Sequence, residues 1–140
     1  MKVCKNIIII FYKMRISIVG AYGFTGRIIC EEFNKIKYSY SIYGRNINAL
    51  NELKKGNSNI KNSKSINLRI IRDVNYLIEN SDVIINCAGP FTEESFLLVK
   101  NVAKSGKIYL DISGEIGFIK NSRDYLQEIS VKNKSLIIHG

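Results

Sequence analysis

The chain has no tryptophan, one proline, one histidine and three cysteines among its 140 residues. Cys4, Cys30 and Cys87 are odd in number and far apart, with no CxxC pair. A disulfide framework is therefore unsupported, and with His139 as the lone imidazole a zinc site is unsupported too. A reducing, cytoplasmic setting is the expectation. No apolar stretch reaches the ~20 residues that span a bilayer as a helix, so membrane association is not indicated.

Acidic residues are also scarce: 12 Asp+Glu stand against 21 Lys+Arg, a formal net charge of +9. An excess of that size can mark a nucleic acid, a phosphorylated ligand or a membrane surface as partner. Here the cations are scattered, with no run longer than Lys54-Lys55 and no continuous basic stripe on a helical pattern. Nucleic acid is therefore not expected as a partner. The 25 Ile, 15 Asn and 15 Lys point instead to A/T-rich codon usage.

What is present suffices for one core, since 46% of the chain is hydrophobic and its length suits a single domain. Residues 1 to 13, MKVCKNIIIIFYK, are read as an extension. Their apolar run, Ile7 to Tyr12, is short for a signal sequence and has no small-residue cleavage site. A start at Met14 would open almost directly on a strand. From there, short β-branched runs alternate with amphipathic stretches. Strands are expected at 16–19, 40–43, 68–71, 83–87, 108–110 and 136–138, and helices at 25–35, 47–54, 74–79, 93–104 and 123–132. The polar segment Lys54 to Ser65 reads as a surface loop. Six strands, apolar on both faces and separated by helices, predict an α/β fold: a doubly wound parallel sheet with helices on both faces.

The chemistry concentrates at four strand ends. GAYGFTG, Gly20 to Gly26, follows the first strand and opens the first long helix. In that context Gly20 allows the tight turn and Gly23 leaves room for a pyrophosphate. Gly26 lets the helix pack while its N-terminal N–H groups face the anion, and Thr25 adds a hydroxyl. No Gly-Lys-Ser/Thr follows, which excludes a P-loop and favours a dinucleotide over ATP. At the end of the second strand, Tyr43-Gly44-Arg45-Asn46 holds no carboxylate for a ribose diol, and Arg45 can pair with a 2′-phosphate. NADP is thus expected ahead of NAD.

The fourth strand runs into Asn86-Cys87-Ala88-Gly89-Pro90-Phe91, whose small residues leave room for the adenine-distal half of the ligand. Cys87 reads as a buried structural thiol rather than a nucleophile. Asp111-Ile112-Ser113-Gly114-Glu115 ends the fifth strand; its carboxylates can meet a ligand or cap the next segment. His139 reads as structural. No catalytic residue is assigned.

Together GAYGFTGR, YGRN, DVIINCAGPF and YLDISGE resemble, in order and spacing, the N-terminal domain of saccharopine dehydrogenase-like oxidoreductases, also described as trans-acting enoyl reductase-like proteins. The resemblance covers residues 14 to 140. It implies a Rossmann NADP-binding domain and, in full-length members, a following substrate or dimerisation domain. A fragment truncated before that domain and inactive alone is the expectation, with the missing domain or a second copy as partner. The candidate cofactor-binding set is Gly20, Tyr22, Gly23, Phe24, Thr25, Gly26, Arg45, Asn46, Ala88, Gly89 and Pro90, with no metal site. Two alternatives stand beside this reading. One is a non-catalytic module that binds or senses dinucleotide. The other is an extended short-chain dehydrogenase-like reductase, against which the chain shows no Tyr-x-x-x-Lys pair.

Overall fold

The computed structural model describes residues 14–140; the expected extension at 1–13 lies outside the described residues. Strands and helices alternate: β1 (Ile16–Val19), α1 (Phe24–Lys35), β2 (Tyr40–Gly44), α2 (Ile47–Lys54), β3 (Ile60–Ser65), α3 (Ile71–Glu79), β4 (Val83–Asn86), α4 (Glu93–Ala103), β5 (Ile108–Asp111), α5 (Ile116–Asn133) and β6 (Leu136–Ile138). All six strands pair in parallel, in the order β3-β2-β1-β4-β5-β6. This is the doubly wound Rossmann arrangement. The winding reverses between β1 and β4, and the carboxyl ends of those two strands frame the crevice where such sheets bind ligands.

Alternation along the strands builds two cores. Ile18 and Ile42 point to one face, where they meet Cys30 of α1, Leu50 of α2 and Ile60. Their neighbours Val19 and Tyr43 join the other cluster, with Leu77 of α3, Leu98 of α4, Tyr109 and Leu126 of α5. Burying both faces makes register obligatory, because a slip of one residue would exchange the two cores.

Two expectations are corrected. The third strand is Ile60–Ser65, inside the segment expected to be a loop, while residues 68–70 form a turn and Ile71 begins α3. β3 is an edge strand, so it carries Lys61, Asn62, Ser63 and Lys64 without the apolar alternation of an inner strand. The apolar run LRII that suggested a strand instead leads into the helix. Asp73 in its first turn accepts from Asn67 N (2.9 Å), and Asn67 Oδ1 accepts from Arg69 N (3.0 Å). The last helix starts at Ile116 rather than Arg123; Gly114 and Gly117 had disguised its first turn.

Candidate functional site

Gly20 follows β1 with φ +74°, and its N–H donates to Tyr43 O at 2.8 Å, tying the turn to β2. A Cβ at Gly20 would stand 2.9 Å from Ala88 N, so the loops after β1 and β4 touch backbone to backbone at the switch point. At Gly26 a Cβ would lie 2.3 Å from Gly20 O, which presses the first turn of α1 onto the loop. Gly23 differs: its φ is −71°, and a Cβ there would meet Gly20 O alone, at 3.2 Å. Gly23 is also the N-cap of α1; no side chain caps that end, and its first turn holds no acidic residue. The N–H groups and dipole of a 12-residue helix are thus available to an anion.

Across the loop, the Tyr22 ring fills the space a Gly44 side chain would take, 2.5 Å from its ideal Cβ. The Tyr22 hydroxyl accepts from Arg45 N (3.2 Å) and Asn46 N (3.3 Å), which fixes the turn after β2. Asn46 Oδ1 accepts from Ala49 N at 3.1 Å and caps α2. The Arg45 side chain is exposed and forms no ion pair among the described residues. On the β4 side, Asn86 Oδ1 accepts from Ala88 N (3.0 Å) while its Nδ2 donates to Tyr109 Oη (3.0 Å), holding the loop that continues into Gly89 and Pro90.

These loops enclose a cleft of roughly 430 Å³ at the carboxyl ends of β1 to β4. Of the candidate set, Gly20, Tyr22, Gly23, Arg45, Ala88, Gly89 and Pro90 line it. Phe24, Thr25, Gly26 and Asn46 do not: Phe24 is 85% exposed, and Gly26 lies behind the turn as packing. The cleft also recruits Gly44, Ile66, Asn67, Leu68, Arg69, Thr92 and Ser95. Asn67 to Arg69 were hidden from sequence reasoning by the misassigned third strand. The Asn-Leu-Arg step ahead of Asp73 was the signal for a turn there.

Cys87 lines the cleft, half-buried, with its thiol pushed up to about 11 by burial and by Cys30, so it stays protonated at neutral pH. Asp111 and Glu115 act as braces. Asp111 Oδ1 accepts from Ser113 N (3.0 Å) and Oγ (2.7 Å), and its Oδ2 pairs with His139 Nδ1 (2.8 Å). His139 Nε2 reaches Ser122 Oγ at 2.8 Å, so the histidine bolts the end of β6 to β5 and α5. Burial pushes the Asp111 carboxyl up, but the bonds from His139 and Ser113 outweigh it and leave the group below its ordinary value. Glu115 accepts from Phe91 N (3.2 Å) and Gly114 N (2.9 Å), joining the loops after β4 and β5.

The glycines at Gly20 and Gly23, the uncapped helix and the free guanidinium of Arg45 together suit a ligand with a pyrophosphate and a further phosphate. No group of three or more His, Cys, Asp or Glu among the described residues could hold a metal, and no described helix is long and apolar enough to cross a membrane.

Comparison with known proteins bears on the fold. No protein-family model matches the chain. A short-chain dehydrogenase/reductase from Vibrio parahaemolyticus superposes with a TM-score of 0.74 at 12% identity, over 89% of this chain and 82% of its own. Saccharopine dehydrogenase (L-Glu forming) from Saccharomyces cerevisiae gives 0.71 at 12% identity, over 90% of this chain and 26% of its own. A reductive aminase from Aspergillus terreus, in complex with NADPH and ethyl levulinate, gives 0.63 at 16% identity, over 90% and 40%. The fold is the Rossmann α/β fold shared by these oxidoreductases. In sequence, the chain is 28% identical over 114 residues to a "Lipid droplet localized protein" of Caenorhabditis elegans, covering 74% of this chain and 27% of that protein. The chain thus spans about a quarter of the length of this relative.

Proposed function

We propose that the chain is the NADP(H)-binding domain of an oxidoreductase of the saccharopine dehydrogenase-like kind. The observation that carries this reading is the pairing, in one cleft, of an uncapped glycine-rich helix start with an exposed, unpaired Arg45 at a strand end that has no carboxylate. Gly20, Gly23 and the first turn of α1, which carries Phe24 and Thr25, would hold the pyrophosphate, with Gly26 packing that turn onto the loop from behind. Arg45 takes the 2′-phosphate in a charge-assisted pair, Asn46 and Tyr22 hold its loop, and Ala88, Gly89 and Pro90 leave space toward the nicotinamide. When bound, the cofactor supplies hydride chemistry; this chain's residues bind and orient it.

Hydride transfer also needs a substrate held at ~3 to 3.5 Å from the nicotinamide. In this reading a further substrate or dimerisation domain, or a second copy, completes that enclosure, and the chain alone binds without turnover in a cytoplasmic setting. Calorimetric titration with NADPH and NADH tests it. Saturable NADPH binding at least about tenfold tighter than NADH supports it, and a chain that binds neither dinucleotide overturns it. Steady turnover of a carbonyl or imine panel by the 140-residue chain would overturn the claim of inactivity while leaving the cofactor reading intact.

A further inference from the structure

Beyond the cleft, toward β5, lies a second hollow of roughly 490 Å³ walled by Phe91, Phe96 and Phe118, with Thr92 and Asn121 as its polar groups. The rings are mutually fixed: Phe91 and Phe118 lie 5.6 Å apart between centroids, and Phe96 meets Phe118 edge-on at 6.2 Å. Phe118 is in turn backed edge-on by His139 at 5.4 Å. The Glu115 bonds to Phe91 N and Gly114 N tie the loop that carries Phe91 to the loop after β5. Thr92 lines both this hollow and the dinucleotide cleft.

We infer that this hollow is the substrate subsite and that it takes a neutral apolar group, an aliphatic chain or an aromatic ring, rather than a carboxylate-bearing amino acid. The inference rests on the dinucleotide reading for its direction. With the 2′-phosphate at Arg45 and the pyrophosphate at Gly23, Ala88, Gly89 and Pro90 would border the nicotinamide end, and Thr92, which follows them in the cleft wall, also lines the hollow. The chemistry of the walls gives the class. The half-buried Phe96 ring, together with the edges of the nearly buried Phe91 and Phe118, offers a rigid apolar surface against which a ligand can pack. Among the described residues, no lysine or arginine lines the hollow to pair with an acid. A small molecule is favoured over a protein partner because the hollow shares Thr92 with the cofactor cleft and holds only about 490 Å³.

The test uses N-phenyl-1-naphthylamine, an apolar fluorophore, with the 140-residue chain. Wild type is expected to bind it saturably, with 1-decanol displacing it and glutamate not. Asn121→Trp, at an exposed helix position over the mouth, should weaken the probe about tenfold while NADPH affinity changes less than about twofold. Val131→Trp, in the separate groove between α5 and β6, should leave both unchanged. Saturating NADPH should shift probe affinity about threefold, since Thr92 is common to both sites. The subsite is overturned if Asn121→Trp binds the probe as wild type does, if glutamate displaces it, or if the probe enters only when a dimer of the chain is diluted apart. If Asn121→Trp abolishes probe binding but no dinucleotide binds, the apolar pocket stands and the dinucleotide reading falls.

Discussion

At the amino ends of the strands, Arg15, Asp82 and Lys107 close on one another, whereas at the carboxyl ends Gly23, Gly89 and Arg45 leave their space and charge uncommitted. Asp82 accepts from Arg15 Nε (3.1 Å), Arg15 Nη2 (2.9 Å) and Arg15 N (2.9 Å), and from Lys107 Nζ (3.0 Å). Arg15 Nη1 also donates to Glu79 O at 2.8 Å, so one cluster fastens β1, α3, β4 and β5. The Arg15 bonds, against some burial and with help from Lys107, hold the Asp82 carboxyl well below the usual carboxylate range. At the opposite end the polar groups are bonded only as far as needed to shape the loops. One end of the sheet is closed by ion pairs and the other is left open, and substitutions at the two ends should separate stability from binding.

The largest effect is expected at Gly26→Ala, whose Cβ would meet backbone at 2.3 Å and 2.7 Å. A loss of about 3 kcal/mol or more follows, because neither atom can yield without moving the turn, and thermal unfolding should show it as a large fall in Tm. Gly23→Ala sharpens the contrast. Its φ of −71° suits any residue and its single close contact is 3.2 Å. Its Tm should therefore stay near wild type while NADPH binding weakens about tenfold, or ~1.4 kcal/mol, by calorimetry. A Gly23→Ala protein that unfolds would show that this glycine serves packing as Gly26 does.

Asp82→Asn should cost about 1 kcal/mol, the modest figure proper to a partly exposed ion network, with NADPH affinity unchanged. Its pH dependence gives the smallest signal. Because the folded Asp82 and Asp111 carboxyls lie below their ordinary values, their stabilisation is complete above the unfolded carboxylate pKa of about 4 and is lost as pH falls through the folded values. Urea midpoints should thus be flat from about pH 7 to 5 and decline below about 4, less steeply in Asp82→Asn. An equal decline in both proteins would remove Asp82 from the account.

The cleft was legible in the sequence where its residues are neighbours in the chain. GAYGFTG, Tyr43 to Asn46 and Ala88 to Pro90 each declare a strand end locally, and the alternation of Ile18 with Val19 declared a sheet buried on both sides. What depended on distant pairing was hidden. Arg15 and Asp82 are 67 residues apart, and Asp111 and His139 are 28 apart. β3 escaped because an edge strand owes only part of its surface to the core; with it went Asn67, Leu68 and Arg69 of the cleft wall. Glu115 was legible as a carboxylate beside the site but not as a brace, since its partner Phe91 lies on another loop.

A four-way calorimetric cycle decides whether the open end holds an NADP pyrophosphate with Arg45 on the 2′-phosphate. It measures wild type and Arg45→Ala, each titrated with NADPH and with NADH. The substitution should weaken NADPH about 10- to 100-fold and NADH less than about threefold, a coupling of ~1.5 to 3 kcal/mol for a charge-assisted pair. Equal losses for the two dinucleotides, or none for either, would contradict it.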